Sequence, residues 1–280
     1  MEQSRNPYIQ DAEKPQLINS VVAFMDILGY REMAEGAASG GTELDLLLRL
    51  HSTLEYGQKF LRGDLPLIVK LGSKDFYAVK AFTDNIVIGW PIRTDGESEL
   101  GSAFSKLSFF QLRLALAGFF IRGGLSIGPL YMDDIAVFGR GLNEAYATES
   151  RFARDPRIVL ASSVEEIVKI HMGDYAEPNY SPRSRDLYRD SDGKVFINYL
   201  DSVLIAEDEI GPSYEELLKH KEVVERCLSE HKNNPLIWSK YAWVANYHNF
   251  FCEQYPRYFS SEHMIEQSRI RIVPRRITEA

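Results

Sequence analysis

Cysteine, excess positive charge and long apolar runs are all scarce in this chain of 280 residues. Its two cysteines, Cys227 and Cys252, are too few for a disulfide framework or for a zinc cluster built on cysteine. The formal net charge is −8, which argues against a general binder of nucleic acid or anionic membranes, because both partners attract basic surfaces. What remains is an ordinary globular composition, 45% hydrophobic and 26% charged.

Targeting and membrane signals are missing as well. The first ten residues, MEQSRNPYIQ, are polar and lack the apolar centre of a secretory signal. The most apolar window, residues 107–121, is too short to cross a bilayer and contains Gln111 and Arg113. We therefore expect a soluble, cytoplasmic protein that binds neither nucleic acid nor a membrane.

Two common classes of hydrolase are also disfavoured. The six histidines show no His-Glu-x-x-His or His-x-x-x-His spacing, so a zinc enzyme is not indicated. Residues 124–128 match the Gly-x-Ser-x-Gly pattern of a serine nucleophile elbow, which requires a sharp turn from strand to helix. Here residues 121–128 read as one continuous strand followed by Pro129, so we reject Ser126 as a nucleophile.

The hydrophobic pattern predicts an α+β protein. A buried strand over residues 20–30 breaks at Gly29, and a helical stripe over residues 44–55 follows. The remaining predicted elements are a hairpin at 76–82 and 85–91, a helix at 98–119, a strand at 121–128, a helix at 141–153, a surface loop at 173–193 and helices at 214–231 and 235–254. This order favours helices packed on a mixed sheet. We divide the chain into a polar arm (1–16), a catalytic domain (17–205) and a helical C-terminal extension (206–280).

Two acidic residues interrupt strongly apolar segments. Asp26 ends the first strand, and Asp84 lies at the tip of the hairpin in the stretch AFTDNIVIGW. If these strands are neighbours, the two carboxylates approach each other at one end of the sheet, where their repulsion raises a pKa. A divalent cation removes that repulsion, and Mg²⁺ or Mn²⁺ suits hard oxygen ligands completed by a triphosphate. Gly29 adds a turn without a Cβ, which lets backbone N–H groups approach phosphate oxygens at the start of a helix.

Three segments together resemble one enzyme family. Residues 26–30 (DILGY), residues 80–84 (KAFTD) and residues 139–150 (GRGLNEAYATES) resemble, in this order, the motifs of the class III nucleotidyl cyclases. Within that family the chain is most similar to the pyrimidine (uridylate or cytidylate) cyclases of bacterial Pycsar antiphage defence. The resemblance implies a ferredoxin-like cyclase sandwich, and an NTP converted to a 3′,5′-cyclic nucleotide and pyrophosphate as an antiviral second messenger.

The resemblance also implies roles for individual residues. Asp26, Asp84 and the backbone carbonyl of Ile27 would hold two divalent cations, Mn²⁺ or Mg²⁺. Asn143 of one protomer would orient the ribose in the site of the other, which implies a head-to-tail homodimer. The residues implied to contact substrate are Ile27, Leu28, Gly29, Tyr30 and Lys80, the last from the partner protomer and facing the base. A separate effector that binds the cyclic nucleotide is implied too.

The chain departs from the family pattern at two positions. Ala147 stands where the family commonly has a transition-state arginine, and we name Arg151 and Arg154 as the catalytic candidates to replace it. Arg122 and Arg157 could also reach a phosphate, but each on its own is interpreted as an ordinary surface arginine. Ala136 stands where purine cyclases often have a polar base-reading residue, which favours UTP or CTP as substrate. A purine cyclase and a degenerate cyclase-like module that binds nucleotide or dimerises stay open as alternatives.

Overall fold

The structure is a computed structural model that describes residues 6–9, 15–61, 77–82, 84–204, 211–266 and 275–276. Its strands are β1 (Ile18–Ile27), β2 (Ala78–Phe82), β3 (Asn85–Pro91), β4 (Ile121–Met132), β5 (Val137–Phe138), β6 (Ile158–Leu160), β7 (Leu187–Arg189), β8 (Val195–Ile197) and β9 (Arg275–Arg276). Its α-helices are α1 (Tyr30–Gly40), α2 (Glu43–Leu61), α3 (Glu97–Leu116), α4 (Arg140–Phe152), α5 (Ser162–Gly173), α6 (Arg183–Asp186), α7 (Tyr214–Glu230) and α8 (Pro235–Gln254). In the part of the chain described here, no helix is both long and apolar enough to cross a membrane.

The sheet confirms the predicted α+β class. Its strands lie in the order β2-β3-β1-β4-β6-β8-β7-β9, with β5 paired to β4 alone. Strand β1 is antiparallel to both of its neighbours, β3 and β4, while β6 runs parallel to β4, so the sheet is mixed. The first four strands with α1, α2 and α3 form a β-α-β-β-α-β unit, which is the ferredoxin-like arrangement.

Strand β1 is buried on both faces, which explains its nearly unbroken apolar sequence. Val21, Ala23 and Met25 join the core cluster that α3 covers. Val22 and Phe24 point to the opposite face and pack in a second cluster with α4. Because side chains alternate along a strand, the next even-numbered residue, Asp26, lies on the α4 face.

Helix α4 lies close to strand β4, and Gly124 is the position where the approach is tightest. A Cβ on Gly124 would be 2.1 Å from the carbonyl oxygen of Ala145 in α4, so only glycine fits at this position. The close approach brings the polar C-terminal half of α4, including Glu149, over the beginning of β4. This packing sets the geometry of the pocket described below.

The two C-terminal helices form a second core with the sheet and α3. The bounds of both helices match the prediction to within one residue. A side chain caps each N-terminus: the Ser213 side chain accepts from the Glu216 amide, and the Asn234 side chain accepts from the Ile237 amide. Pro235 occupies the first turn of α8, where its missing N–H has no cost.

One sequence prediction about local structure was wrong, and two burial patterns add detail that the sequence did not indicate. The predicted loop at 173–193 contains α6 and β7. Its polar sequence does not indicate a surface loop here, because Ser181 and Arg183 are buried, Ser181 Oγ accepts from the Arg183 amide and Arg183 forms an ion pair with Asp186. The stripe of α2 forms a helix as expected, but three of its leucines are exposed: Leu44, Leu47 and Leu48. The polar arm contributes a fully buried Tyr8, whose hydroxyl donates to Ser20 Oγ at 2.9 Å. Phe76 and Thr83 of the predicted hairpin lie outside the described residues.

A chain of hydrogen bonds links two fully buried histidines between α7 and α8. His248 Nε2 lies 2.8 Å from the carbonyl oxygen of His263, which only accepts, so Nε2 carries the proton. His248 Nδ1 then accepts from His220 Nδ1 at 2.9 Å, and His220 Nε2 accepts from the Tyr199 hydroxyl at 2.8 Å. The neutral pair is therefore fully hydrogen-bonded in one arrangement of tautomers.

We expect both histidines to stay neutral in the folded protein well below pH 6.5. Burial lowers the pKa of His220 and of His248, the latter to about 4. The unfolded chain takes up protons near pH 6.5 and the folded chain does not, so this pair lowers the free energy of unfolding as the pH falls below 6.5. Long-range ¹H–¹⁵N correlation spectra at pH 7 and pH 5 should show the same two tautomers, Nδ1–H for His220 and Nε2–H for His248. Titration of both rings near pH 6.5 would contradict this arrangement.

Candidate active site

An open pocket of about 280 Å³ lies at the end of the sheet, between β1, β3, β4 and α4. It is lined by Phe24, Asp26, Asp84, Asn85, Arg122, Tyr146, Glu149 and Ser150. Its walls are polar and charged apart from two aromatic rings, Phe24 and Tyr146, which meet edge to face with centroids 5.3 Å apart. A pocket of this kind suits a charged ligand better than an apolar one.

Strand pairing brings the two acids to this pocket. Asp26 lies opposite Asn85 in the β1–β3 register, and the next amide, that of Ile27, donates to the Asp84 carbonyl at 3.1 Å. Phe82 pairs with Asn85 in the β2–β3 hairpin, and Asp84 directly precedes Asn85 at the start of β3. The hairpin thus presents Asp84 beside the end of β1.

Arg122 is the cation of the pocket. It lies opposite Asp26 in the β1–β4 register, and its Nε and Nη2 donate to Asp26 Oδ2 at 3.0 and 2.9 Å. Its Nε also lies 2.9 Å from Glu149 Oε1, which makes an ion pair. The angles of this contact do not suit a hydrogen bond, so the buried Glu149 Oε1 accepts none. Arg122 therefore sits between two carboxylates, one on the sheet and one on α4.

The pKa values of both carboxyls reflect this environment. Burial raises the pKa of Asp26, Arg122 opposes the rise, and the neighbouring Asp84 adds to it. Burial likewise raises the pKa of Glu149, again opposed by Arg122. The pocket thus holds more negative charge than one guanidinium neutralises, which is favourable for a further cation.

The carboxylate oxygens of the pocket suit a divalent cation, but they do not complete its coordination shell. Asp26, Asp84 and the Glu149 oxygen that accepts no hydrogen bond are hard oxygen ligands in one pocket. Within the described ranges, however, no group of three or more His, Cys, Asp or Glu side chains is arranged to hold a metal ion. The two aspartates therefore suit a cation that takes its other ligands from the backbone, water or substrate oxygens, as Mg²⁺ commonly does.

The predicted phosphate-binding turn has the expected backbone. Gly29 adopts φ +70°, a left-handed conformation that favours glycine, and α1 begins at the next residue, Tyr30. Ile27 and Leu28 are buried, and Tyr30 is half-buried against the main core. The side chains of these residues lie outside the pocket lining.

Two predicted site residues lie away from this pocket in the single chain. Lys80 on β2 donates to the backbone carbonyls of Asp133 and Asp134 at 3.2 and 3.0 Å. Asn143 is exposed on the first half of α4. Their assigned roles in the site of a partner protomer stay predictions.

The arginines differ from their sequence-based interpretation. Arg151 and Arg154 are exposed and do not line the pocket, and Arg154 pairs with Asp155 at 3.2 Å. Arg122, interpreted as a surface residue, lies inside the pocket, and Arg157, interpreted likewise, is buried and paired with Asp190 and Asp192. Strand register is the signal that identifies Arg122, because it places this residue directly across from Asp26 on the same face.

Ser126 is not a nucleophile in this fold. It is fully buried in the middle of β4 and donates to the carbonyl oxygen of Gly141 at 2.6 Å. The continuous strand lacks the turn that a nucleophile elbow requires.

Comparisons with known proteins do not assign the chain to a family. No protein-family model and no curated protein matches the chain. Among solved structures, one match is a class III adenylyl cyclase-like ATP-binding protein from Pseudomonas aeruginosa, with 13% identity and a TM-score of 0.44. The alignment covers 58% of this chain and 39% of that protein, so the chain spans about two fifths of its length. A similarity this distant carries no weight for the fold or for activity, which rest on the strand order and the pocket.

Proposed function

We propose that this pocket is the active site of a nucleotidyl cyclase that converts UTP or CTP into the 3′,5′-cyclic nucleotide and pyrophosphate. The observation that carries the proposal is the convergence of Asp26, Asp84 and Arg122 in one open pocket. The motif resemblance of residues 26–30, 80–84 and 139–150 supplies the reaction class. By the same resemblance, the product is a second messenger in bacterial antiphage defence, read by a separate effector.

The two aspartates would hold the divalent cations. Asp26 and Asp84 offer carboxylates from adjacent strand ends, and Ile27 lies beside both, because it follows Asp26 and its amide donates to the Asp84 carbonyl. When bound, Mg²⁺ or Mn²⁺ lowers the pKa of the ribose 3′-hydroxyl and neutralises charge on the triphosphate. Binding would also offset the repulsion that contributes to the raised pKa of Asp26.

Arg122 would bind the departing phosphates. Its guanidinium is a planar donor fork that suits phosphate oxygens, and Glu149 holds it inside the pocket. A cation held by Asp26 would compete for that carboxylate, and the Arg122 guanidinium could then donate to substrate oxygens instead. This assigns to Arg122 the role that Ala147 leaves vacant and that we first gave to Arg151 and Arg154.

The reaction balances without a further reactant. The 3′-oxygen forms a bond to the α-phosphorus, the bond from that phosphorus to the bridging oxygen breaks, and pyrophosphate leaves. The proton of the hydroxyl passes to solvent. The residues of the pocket orient and neutralise charge, and no covalent intermediate with the protein is needed.

The proposed enzyme is a head-to-tail homodimer in which Asn143 and Lys80 complete the site of the partner. Mixing the Asp26→Asn and Asn143→Ala proteins should then restore activity, although each is inactive alone. With random exchange of subunits, about half of the dimers are heterodimers, and each heterodimer has one intact site out of two. The expected activity is therefore about a quarter of that of the wild type. Cyclic product is measured before and after mixing. No recovery, with exchange verified by mass spectrometry, would place both residues in one protomer's site.

Incubation of the purified protein with each of the four NTPs and Mn²⁺ tests the proposal. We expect a cyclic product, identified by mass, from UTP or CTP. Product from ATP or GTP alone would overturn the pyrimidine assignment and leave a purine cyclase. No product from any NTP, with a dimeric protein, would favour the degenerate nucleotide-binding module that the alanine at position 147 would permit.

A further inference from the structure

Two aromatic rings interrupt the polar lining of the pocket. Phe24 lies on β1 and Tyr146 on α4, and the rings meet edge to face with centroids 5.3 Å apart and planes at 85°. Phe24 is 8% exposed and packs in the apolar cluster with α4, whereas Tyr146 is 55% exposed. The buried ring therefore supports the exposed one, and more than half of Tyr146 is accessible to a ligand in the pocket.

The aromatic pair lies one step away from the charged groups of the pocket. Phe24 and Asp26 are two residues apart on one face of β1, a spacing of about 6.5–7 Å along the strand. Tyr146 precedes Glu149 by three residues on one side of α4, a rise of about 4.5 Å. Strand and helix thus both place the accessible ring beside the carboxylates without covering them.

A nucleoside triphosphate combines the two kinds of group that this arrangement suits. Its phosphates carry charge for Arg122 and for cations on Asp26 and Asp84, and its base is a flat aromatic ring joined to them through the ribose. Every base has a π face, so stacking on an aromatic side chain is favourable whichever base is present. An inorganic polyphosphate would use the charged groups alone and leave the Tyr146 ring uncovered.

We propose that the nucleobase of the substrate stacks on Tyr146, with Phe24 as the buried support of that ring. The assignment to a nucleotide substrate rests on the proposed function, but stacking is measurable without turnover. Because stacking tolerates any base, Tyr146 contributes affinity, and the choice between bases falls to groups that form hydrogen bonds with the base edge.

Binding of substrate analogues that cannot be cyclised tests the proposal. The analogues 3′-deoxy-UTP and 3′-deoxy-CTP lack the attacking hydroxyl, and inorganic tripolyphosphate lacks the whole nucleoside. In calorimetric titrations of the dimeric protein with Mg²⁺, Tyr146→Ala should weaken binding of the better nucleotide about tenfold, as the loss of one stacking ring does. It should leave the affinity for tripolyphosphate unchanged.

Three further variants separate stacking from other effects of the side chain. Tyr146→Phe keeps the ring and should bind nucleotide as the wild type does. Tyr146→Leu keeps an apolar contact with Phe24 but has no π face, and it should bind as weakly as Tyr146→Ala. The matched control is Tyr180→Ala, which removes an exposed tyrosine outside the pocket lining and should change neither affinity.

The outcomes separate this proposal from the proposed function. Equal nucleotide affinity in wild type and Tyr146→Ala, or no binding of either analogue by the wild type, would overturn the stacking role, whether or not the protein cyclises an NTP. An equal loss for tripolyphosphate, or dissociation of the dimer in Tyr146→Ala, would overturn it too, because the ring would then act on the shape of the pocket or on the subunit interface. Tyr146-dependent nucleotide binding in a protein that forms no cyclic product would uphold the stacking role and overturn the cyclase.

Discussion

Replacing Asp84 with Ala should lower the rate of cyclic nucleotide formation by about 10²-fold or more while the protein stays folded. The carboxylate lines the pocket beside the β2–β3 turn, so the substitution removes a proposed cation ligand. Because Asp84 also raises the pKa of Asp26, its removal relieves repulsion in the empty protein and should not lower the melting temperature.

Two controls sharpen this experiment. Asp84→Asn keeps an oxygen that can accept from Asn85 Nδ2, as the wild-type side chain does at 3.0 Å, and it should be nearly as inactive because it loses the charge. Asp134→Ala changes an exposed acid outside the pocket lining and should be active. Full activity in Asp84→Ala would rule out this residue as a cation ligand.

Replacing Arg122 with Gln should lower kcat/KM for the nucleotide by about 10²–10³-fold, the effect typical of losing one charge-stabilising group. The same change leaves Asp26 and the buried Glu149 without their cation. We expect a loss of about 1–3 kcal/mol in the free energy of unfolding, less than for a fully buried ion pair because Arg122 is 31% exposed.

A second substitution separates the two effects of Arg122. Adding Glu149→Gln removes the buried charge that Arg122→Gln leaves uncompensated, so the double variant should regain part of the lost stability. It should not regain activity, since the guanidinium that we propose to bind phosphate is still missing. Recovery of both stability and kcat/KM in the double variant would show that Arg122 acts only on the structure.

The elements around the pocket were predictable because their signals are local. Apolar runs broken by polar residues predicted β1, the hairpin and the position of Asp84, and the caps at Ser213 and Asn234 agree with the predicted starts of α7 and α8. The alternation of buried residues in β1 places Asp26 on the α4 face. The α+β class followed from the order of these elements.

The rest of the site depends on contacts between residues far apart in the chain. Arg122 was interpreted as a surface residue because nothing near it in sequence indicates that it pairs with Asp26 and Glu149. Glu149 reaches the pocket because α4 packs closely on Gly124 of β4, and no periodic pattern specifies that packing. Register and helix docking, not composition, decide which charges share the pocket.

In the function proposed here, the pocket of Asp26, Asp84 and Arg122 closes a nucleotide ring. Phosphorus NMR of the dimeric protein with UTP or CTP and Mg²⁺ measures this chemistry directly. We predict that the three triphosphate resonances disappear together, while a cyclic phosphodiester and pyrophosphate form in equal amounts and neither forms with Asp84→Ala. Release of inorganic phosphate with a nucleoside diphosphate, or an unchanged triphosphate in the presence of active dimer and metal, would contradict the assignment.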